Sequence, residues 1–126
     1  SLETLTRPHR ANAYGRDMSL LPRHVAENRR HWDETADRWV AAGERAWAQM
    51  EPTWGIWGIP NSELPLLPEL LREQRAIELG CGTGYVSAWM QRRGAEVYAI
   101  DNSSEQLATA ERLAGIYDVE RCAAGR

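Results

Sequence analysis

An acid and three glycines alternate through one short stretch. Glu78 stands two residues ahead of Gly80, Gly82 and Gly84 in "ELGCGTG", with apolar residues on both sides. Glycine has no Cβ and tolerates positive φ, so such a stretch brings bare backbone against a ligand. Where a strand precedes it and a helix follows, the helix N-terminus adds unpaired N–H groups and a positive dipole end. A second acid, Asp101, lies seventeen residues past Gly84. A carboxylate at the end of a neighbouring strand can accept both hydroxyls of a ribose lying over the turn. The chemistry within reach of these residues is the seating of a nucleoside-containing cofactor.

Two common nucleotide cradles do not fit the spacing. The dinucleotide fingerprint G-x-G-x-x-G needs a third glycine where this chain has Tyr85, which disfavours a nicotinamide-binding module. A P-loop needs Lys after the glycines, and the chain contains no lysine.

The elements that must position these residues follow from pattern. "RAIEL" (75–79) is a short apolar run and predicts a buried strand. Tyr85 to Arg93 reads as a helix, with Val86 and Met90 on one face, Arg92 and Arg93 at its negative end and Gly94 as its stop. "AEVYAI" (95–100) predicts a second strand ending at Asp101. Asn102 or Ser103 caps a further helix, with Glu105 or Gln106 completing a capping box, Leu107, Ala110, Leu113 and Ala114 as its buried stripe and Gly115 as its end. A weak third strand is expected near Val119. The order β–α–β–α predicts the Rossmann-like α/β start of a parallel sheet, with ligands at the carboxyl ends of the strands.

Upstream, apolar residues at Val25, Trp32, Ala36, Trp39, Trp47 and Met50 mark one face of helix between Pro22 and Met50. Asn28 is placed to cap a second helix after a break, and Gly43 weakens the middle. Residues 1–21 read as a loose arm with room for one short helix. "EPTWGIWGIP" (51–60) reads as a loop, and residues 62–74 as a short helix or turn leading inward. The chain divides into N-terminal arm and helices (1–61) and a partial cofactor-binding domain (62–126).

The spacing acid-x-Gly-x-Gly-x-Gly resembles the first motif of the class I S-adenosylmethionine-dependent methyltransferases. "AIDNS" (99–103) is similar to their second motif, and "WDETADRW" (32–39) more loosely resembles an aromatic-Asp-x-x-Ala-x-x-aromatic pattern found before the core of small-molecule methyltransferases. The resemblance covers residues 28–115. It implies that Gly80, Cys81, Gly82, Thr83 and Gly84 form the cradle of S-adenosylmethionine. It implies that Glu78 orders this loop or meets the cofactor's amino group through its surroundings, that Asp101 holds the ribose, and that Asn102 edges the adenine. It implies methyl transfer to a small-molecule acceptor. The sulfonium is already activated, so alignment and water exclusion dominate, and the sequence names no catalytic acid or base.

The bland readings bound the rest. Trp32, Trp39 and Trp47 at helical spacing read as core; Trp54 and Trp57 are placed either to cap the cofactor or to face an acceptor. His9, His24 and His31 have no partner spacing, and neither they nor Cys81 and Cys122 suggest a metal site. A net charge of −3 gives no general attraction for nucleic acid or anionic membrane, and the arginines of the first third are interrupted by acids, as on a solvated face. No leader or long apolar run is visible, and a cytoplasmic setting is expected. The family's later strands are not recognisable, so the chain reads as the N-terminal part of an enzyme with its sheet incomplete, inactive by itself. The open, apolar edge of "RAIEL" is then expected to self-associate. The competing reading is a non-catalytic module or a subunit completed by another chain.

Overall fold

The computed structural model describes residues 20–117 and the backbone of residues 123–125. The expected arm at 1–19, His9 and Val119 lie outside the described residues. Helices α1 (Arg23–Thr35) and α2 (Asp37–Trp47) lead to a two-stranded hairpin, β1 (Thr53–Trp54) and β2 (Ile59–Pro60). Then come β3 (Arg75–Leu79), α3 (Tyr85–Arg92), β4 (Glu96–Ile100), α4 (Ser104–Ile116) and β5 (Ala123–Gly125). Strands β3, β4 and β5 form a parallel sheet in that order. This is the mixed α/β start of an incomplete Rossmann-like fold.

The upstream helical segment breaks only at Ala36, between α1 and α2. Asn28 is no cap: it lies inside α1, where its Oδ1 accepts from Trp32 Nε1 at 3.1 Å. Residues 51–60 carry the short hairpin rather than a plain loop, because Thr53 and Trp54 pair with Pro60 and Ile59. Residues 62–74 make turns without a helix. Arg93 pins that segment by donating to the carbonyls of Leu67 at 2.7 Å and Pro68 at 2.8 Å.

Strand β4 is the centre of the sheet, and its Val97 and Ala99 are buried. Strand β3 is an edge, and the expectation of a buried strand fails there. Ile77 is 59% and Leu79 75% exposed, because they alternate to the sheet face opposite the one that carries the buried Val97 and Ala99. The core lies between sheet and helices in two clusters. Trp47, Ala88, Leu113 and Ala114 form one; Cys81, Ala99 and Leu107 form the other. Helix α3 buries Ser87 and Ala88 rather than Val86 and Met90, and Gly94, at φ 99°, follows its end. Of the stripe read from α4, Leu107, Leu113 and Ala114 are buried and Ala110 is half-buried, and the helix runs past the expected end at Gly115 to Ile116.

Helices α1 and α2 pack on α4 and α3. Three polar bonds hang α1 on the β4–α4 junction. Arg29 Nε donates to Asn102 Oδ1 at 2.8 Å, Asn102 Nδ2 to the Val25 carbonyl at 3.3 Å, and Ser103 Oγ to Asp33 Oδ1 at 2.6 Å. Asp33 of the "WDETADRW" segment thus fixes the helix over the sheet's carboxyl end.

Candidate functional site

Register brings the two motifs together. Leu79 pairs with Ile100, so the glycine turn and Asp101 leave adjacent strands side by side. The Ile100 carbonyl accepts from both Gly80 N at 2.7 Å and Cys81 N at 3.0 Å, which stitches the turn to β4. Asp101 closes the arrangement. Its Oδ2 accepts from Gly82 N and its Oδ1 from Ser103 N, each at 2.8 Å. Ser103 is the cap of α4, accepting from Gln106 N at 3.2 Å, while Asp101 takes the bond that a capping-box glutamine would have made.

The three glycines divide the work. Gly80, Gly82 and Gly84 all have positive φ. A Cβ on Gly80 would meet nothing within 4 Å, and one on Gly82 only Gln106 Oε1 at 4.0 Å. Those two leave open space. A Cβ on Gly84 would stand 3.0 Å from Ala110 Cβ and 3.6 Å from Trp47 Cζ2, so Gly84 serves helix packing. Cys81 fills core beneath the turn. The Thr83 carbonyl accepts from Trp47 Nε1 at 2.8 Å, and its side chain packs on Gly43, where a Cβ would stand 2.9 Å away. Gly43 therefore lets α2 approach the turn; its helix-weakening character is the condition of that contact.

Glu78 turns away from solvent to the start of α3. Its Oε2 accepts from Ser87 N at 2.8 Å and from Ser87 Oγ. Gly84 offers no capping side chain, so the carboxylate of the preceding strand satisfies one unpaired N–H of the first turn. Burial raises the Glu78 pKa above its ordinary value; the Ser87 bonds oppose this and Asp101 adds to it. A folded-state pKa above the unfolded one favours the protonated form. That stability is complete at low pH and lost as pH climbs through the folded pKa. Wild type is therefore expected to lose stability relative to Glu78→Gln as pH rises from 4.5 to neutral, in urea unfolding at several pH values. A difference that grows in favour of wild type would mean that the Ser87 bonds outweigh burial.

A cleft of about 520 Å³ opens over the turn. Glu78, Gly80, Cys81, Gly82, Thr83, Asp101 and Asn102 line it; Gly84 does not. Asn102 reaches the cleft with its side-chain oxygen and nitrogen both engaged by α1. The opposite wall is α1 and α2, with Trp32 and Trp39. Only Trp47 of the helical tryptophans is core, at 2% exposure; Trp39 is 47% exposed. Their common face was legible in the sequence, but periodicity does not say whether a face meets core or cavity. Trp54 and Trp57 do not line the cleft. Trp54 Nε1 donates to the Leu64 carbonyl at 3.0 Å, and Trp57 is 80% exposed at the hairpin tip. Gln106 is a cleft residue that the sequence offered only as a capping partner. Tyr85, which broke the dinucleotide fingerprint, lines the cleft and donates from its hydroxyl to Gln49 Oε1 at 3.1 Å.

A parallel sheet with a bare glycine turn and an acid at the adjoining strand end defines a Rossmann-like cofactor fold. Residues 76–124 match the family of methyltransferase domains. No curated protein and no solved structure matches the chain. No helix among the described residues is long and apolar enough to cross a membrane.

Proposed function

We propose that the chain seats S-adenosylmethionine in this cleft and forms part of a cytoplasmic enzyme that transfers the methyl group to a small-molecule acceptor. The carrying observation is the open space in front of Gly80 and Gly82, with the Asp101 carboxylate beside it. The residues fit the cofactor. Gly80 and Gly82 leave room for its methionine part, and Asp101 keeps lone pairs for the ribose hydroxyls beyond the backbone bonds it accepts. Asn102 stands beside the adenine. Glu78 acts through Ser87 by ordering the helix start. When bound, the cofactor supplies an activated methyl group, and the protein's part is to align it and exclude water.

Asp101→Ala is expected to weaken the cofactor by about 1.5–3 kcal/mol, the loss of hydrogen bonds to a charged group. Part of that loss comes through Gly82, whose N–H the change would orphan. The ribose share is isolated by a double cycle in binding titrations. Analogues lacking the ribose hydroxyls are expected to lose affinity for wild type and little more for the variant. Additive losses would show that Asp101 does not hold the ribose.

A second reading is favoured by the edge of β3. Its exposed Ile77 and Leu79 and unpaired backbone make a template for another strand. In that reading the chain is a module completed by another chain, with self-association as its simplest form. Mass that rises with concentration in light scattering supports it; a monomer that turns over a methyl acceptor excludes it.

A further inference from the structure

The wall facing the glycine turn carries two tryptophans held in place. Trp32 donates to Asn28 Oδ1 at 3.1 Å, meets the His31 ring edge-on at 5.3 Å, and lies 6.1 Å from Trp39 at a tilt of 50°. Both rings line the cleft that also receives Glu78 and Asp101. Among the described residues lining it there is no Arg, Lys or His. Tryptophan faces and carboxylates both attract cations. An anion beside the two tryptophans would lose water and meet no cationic side chain of the lining, Arg29 standing behind Asn102. Both carboxylates already accept backbone N–H groups, Asp101 from Gly82 and Ser103 and Glu78 from Ser87, so both are engaged in holding the turn and the helix starts.

Resting on the methyltransferase reading, we propose that the acceptor is an uncharged amine held against Trp32 and Trp39, and that the cleft favours the cation it becomes. The nitrogen lone pair forms the new N–CH₃ bond as the S–CH₃ bond breaks, and that bond's electron pair returns to sulfur. Positive charge passes from sulfur to nitrogen. A primary or secondary amine then releases a proton to water; a tertiary amine keeps the charge. An arylamine is uncharged at neutral pH and loses no proton before the transfer, which suits a site where both carboxylates are engaged; an alkylamine is protonated there and must first release that proton to water. Phenols and carboxylic acids would have to ionise first and would then face Glu78 and Asp101.

The test is titration of the chain with benzyltrimethylammonium, benzyl alcohol and phenylacetate, followed by tryptophan fluorescence. S-adenosylmethionine is titrated in parallel, and S-adenosylhomocysteine is added at saturation. The cation is expected to bind about ten-fold tighter than the alcohol, with phenylacetate weakest. Trp39→Ala is expected to remove that preference, and Trp39→Phe, which keeps an aromatic face, to retain most of it. Saturating S-adenosylhomocysteine, which lacks the methyl group and the charge, is expected to leave the cation's affinity unchanged. Equal binding of the three probes beside normal S-adenosylmethionine binding overturns the amine assignment and leaves the methyltransferase reading standing. Competition between the cation and S-adenosylhomocysteine also overturns it, because the tryptophans would then seat the cofactor rather than the acceptor. Failure of S-adenosylmethionine to bind while the cation preference persists overturns the methyltransferase reading, and the acceptor assignment with it.

Discussion

Gly82→Val is expected to abolish cofactor binding in a chain that still folds, whereas Gly84→Val is expected to cost the fold itself. Both positions have positive φ, 54° at Gly82 and 78° at Gly84, so either change carries backbone strain of about 1–2 kcal/mol. The surroundings separate them. At Gly82 the new Cβ meets only the end of Gln106, at 4.0 Å, and the valine branches enter the cleft. Stability falls by the strain alone, while the space for the cofactor is filled. At Gly84 the Cβ stands 3.0 Å from Ala110 Cβ, where α3 crosses α4. Overpacking adds about 1–3 kcal/mol there. Urea unfolding and S-adenosylmethionine titration on both variants check the contrast. Undiminished affinity in Gly82→Val removes the cradle; an unchanged unfolding midpoint in Gly84→Val removes the packing role.

The contrast between the two glycines also marks where the sequence was legible. The turn, the strand before it, the helix after it and Asp101 beyond were readable because each depends on local backbone preference and short spacing. The sequence could not say which glycine faces ligand and which faces Ala110, because that depends on how α4 returns to the turn. Ile77 and Leu79 read as buried, yet whether a strand's face is covered depends on which helices pack on it. Gly43 read as a flaw in a helix, and its reason, the Thr83 side chain, lies forty residues away. Trp32, Ala36, Trp39, Gly43 and Trp47 form one continuous helical stripe. Along it the surroundings change from cleft to turn to core, and no periodicity records that change. In the sequence Glu78 suits both ordering the loop and serving the cofactor. Its bonds to Ser87 are a contact between a strand and the helix after it, invisible until the turn is folded.

Trp47→Ala is expected to unfold most of the chain at room temperature, the largest effect of a single change on stability. The ring is 2% exposed and packs with Ala88, Leu113 and Ala114, so it joins α2 to both α3 and α4. Removing a buried tryptophan costs about 3–5 kcal/mol. Small domains are stable by about 5–15 kcal/mol in total, and a sheet with an uncovered edge belongs at the low end. A further loss of about 1 kcal/mol follows at Thr83, whose carbonyl loses the indole N–H that it accepts at 2.8 Å. The neighbours cannot close the gap. Ala88 and Ala114 are small, and Arg92, whose guanidinium stands 5.5 Å from the ring centroid, would enter an apolar hole as a charge. Trp47→Phe separates the two contributions: it keeps most of the buried ring and loses the indole N–H. That variant is expected to remain folded, with stability lower by about 1–2 kcal/mol, and to bind S-adenosylmethionine more weakly, since Thr83 is part of the turn. Far-ultraviolet circular dichroism with urea, together with the cofactor titration, reads both. If Trp47→Phe loses stability but binds the cofactor as wild type does, the indole–Thr83 bond holds the helices together without shaping the turn, and the cleft draws its form from Asp101 and Ile100 alone.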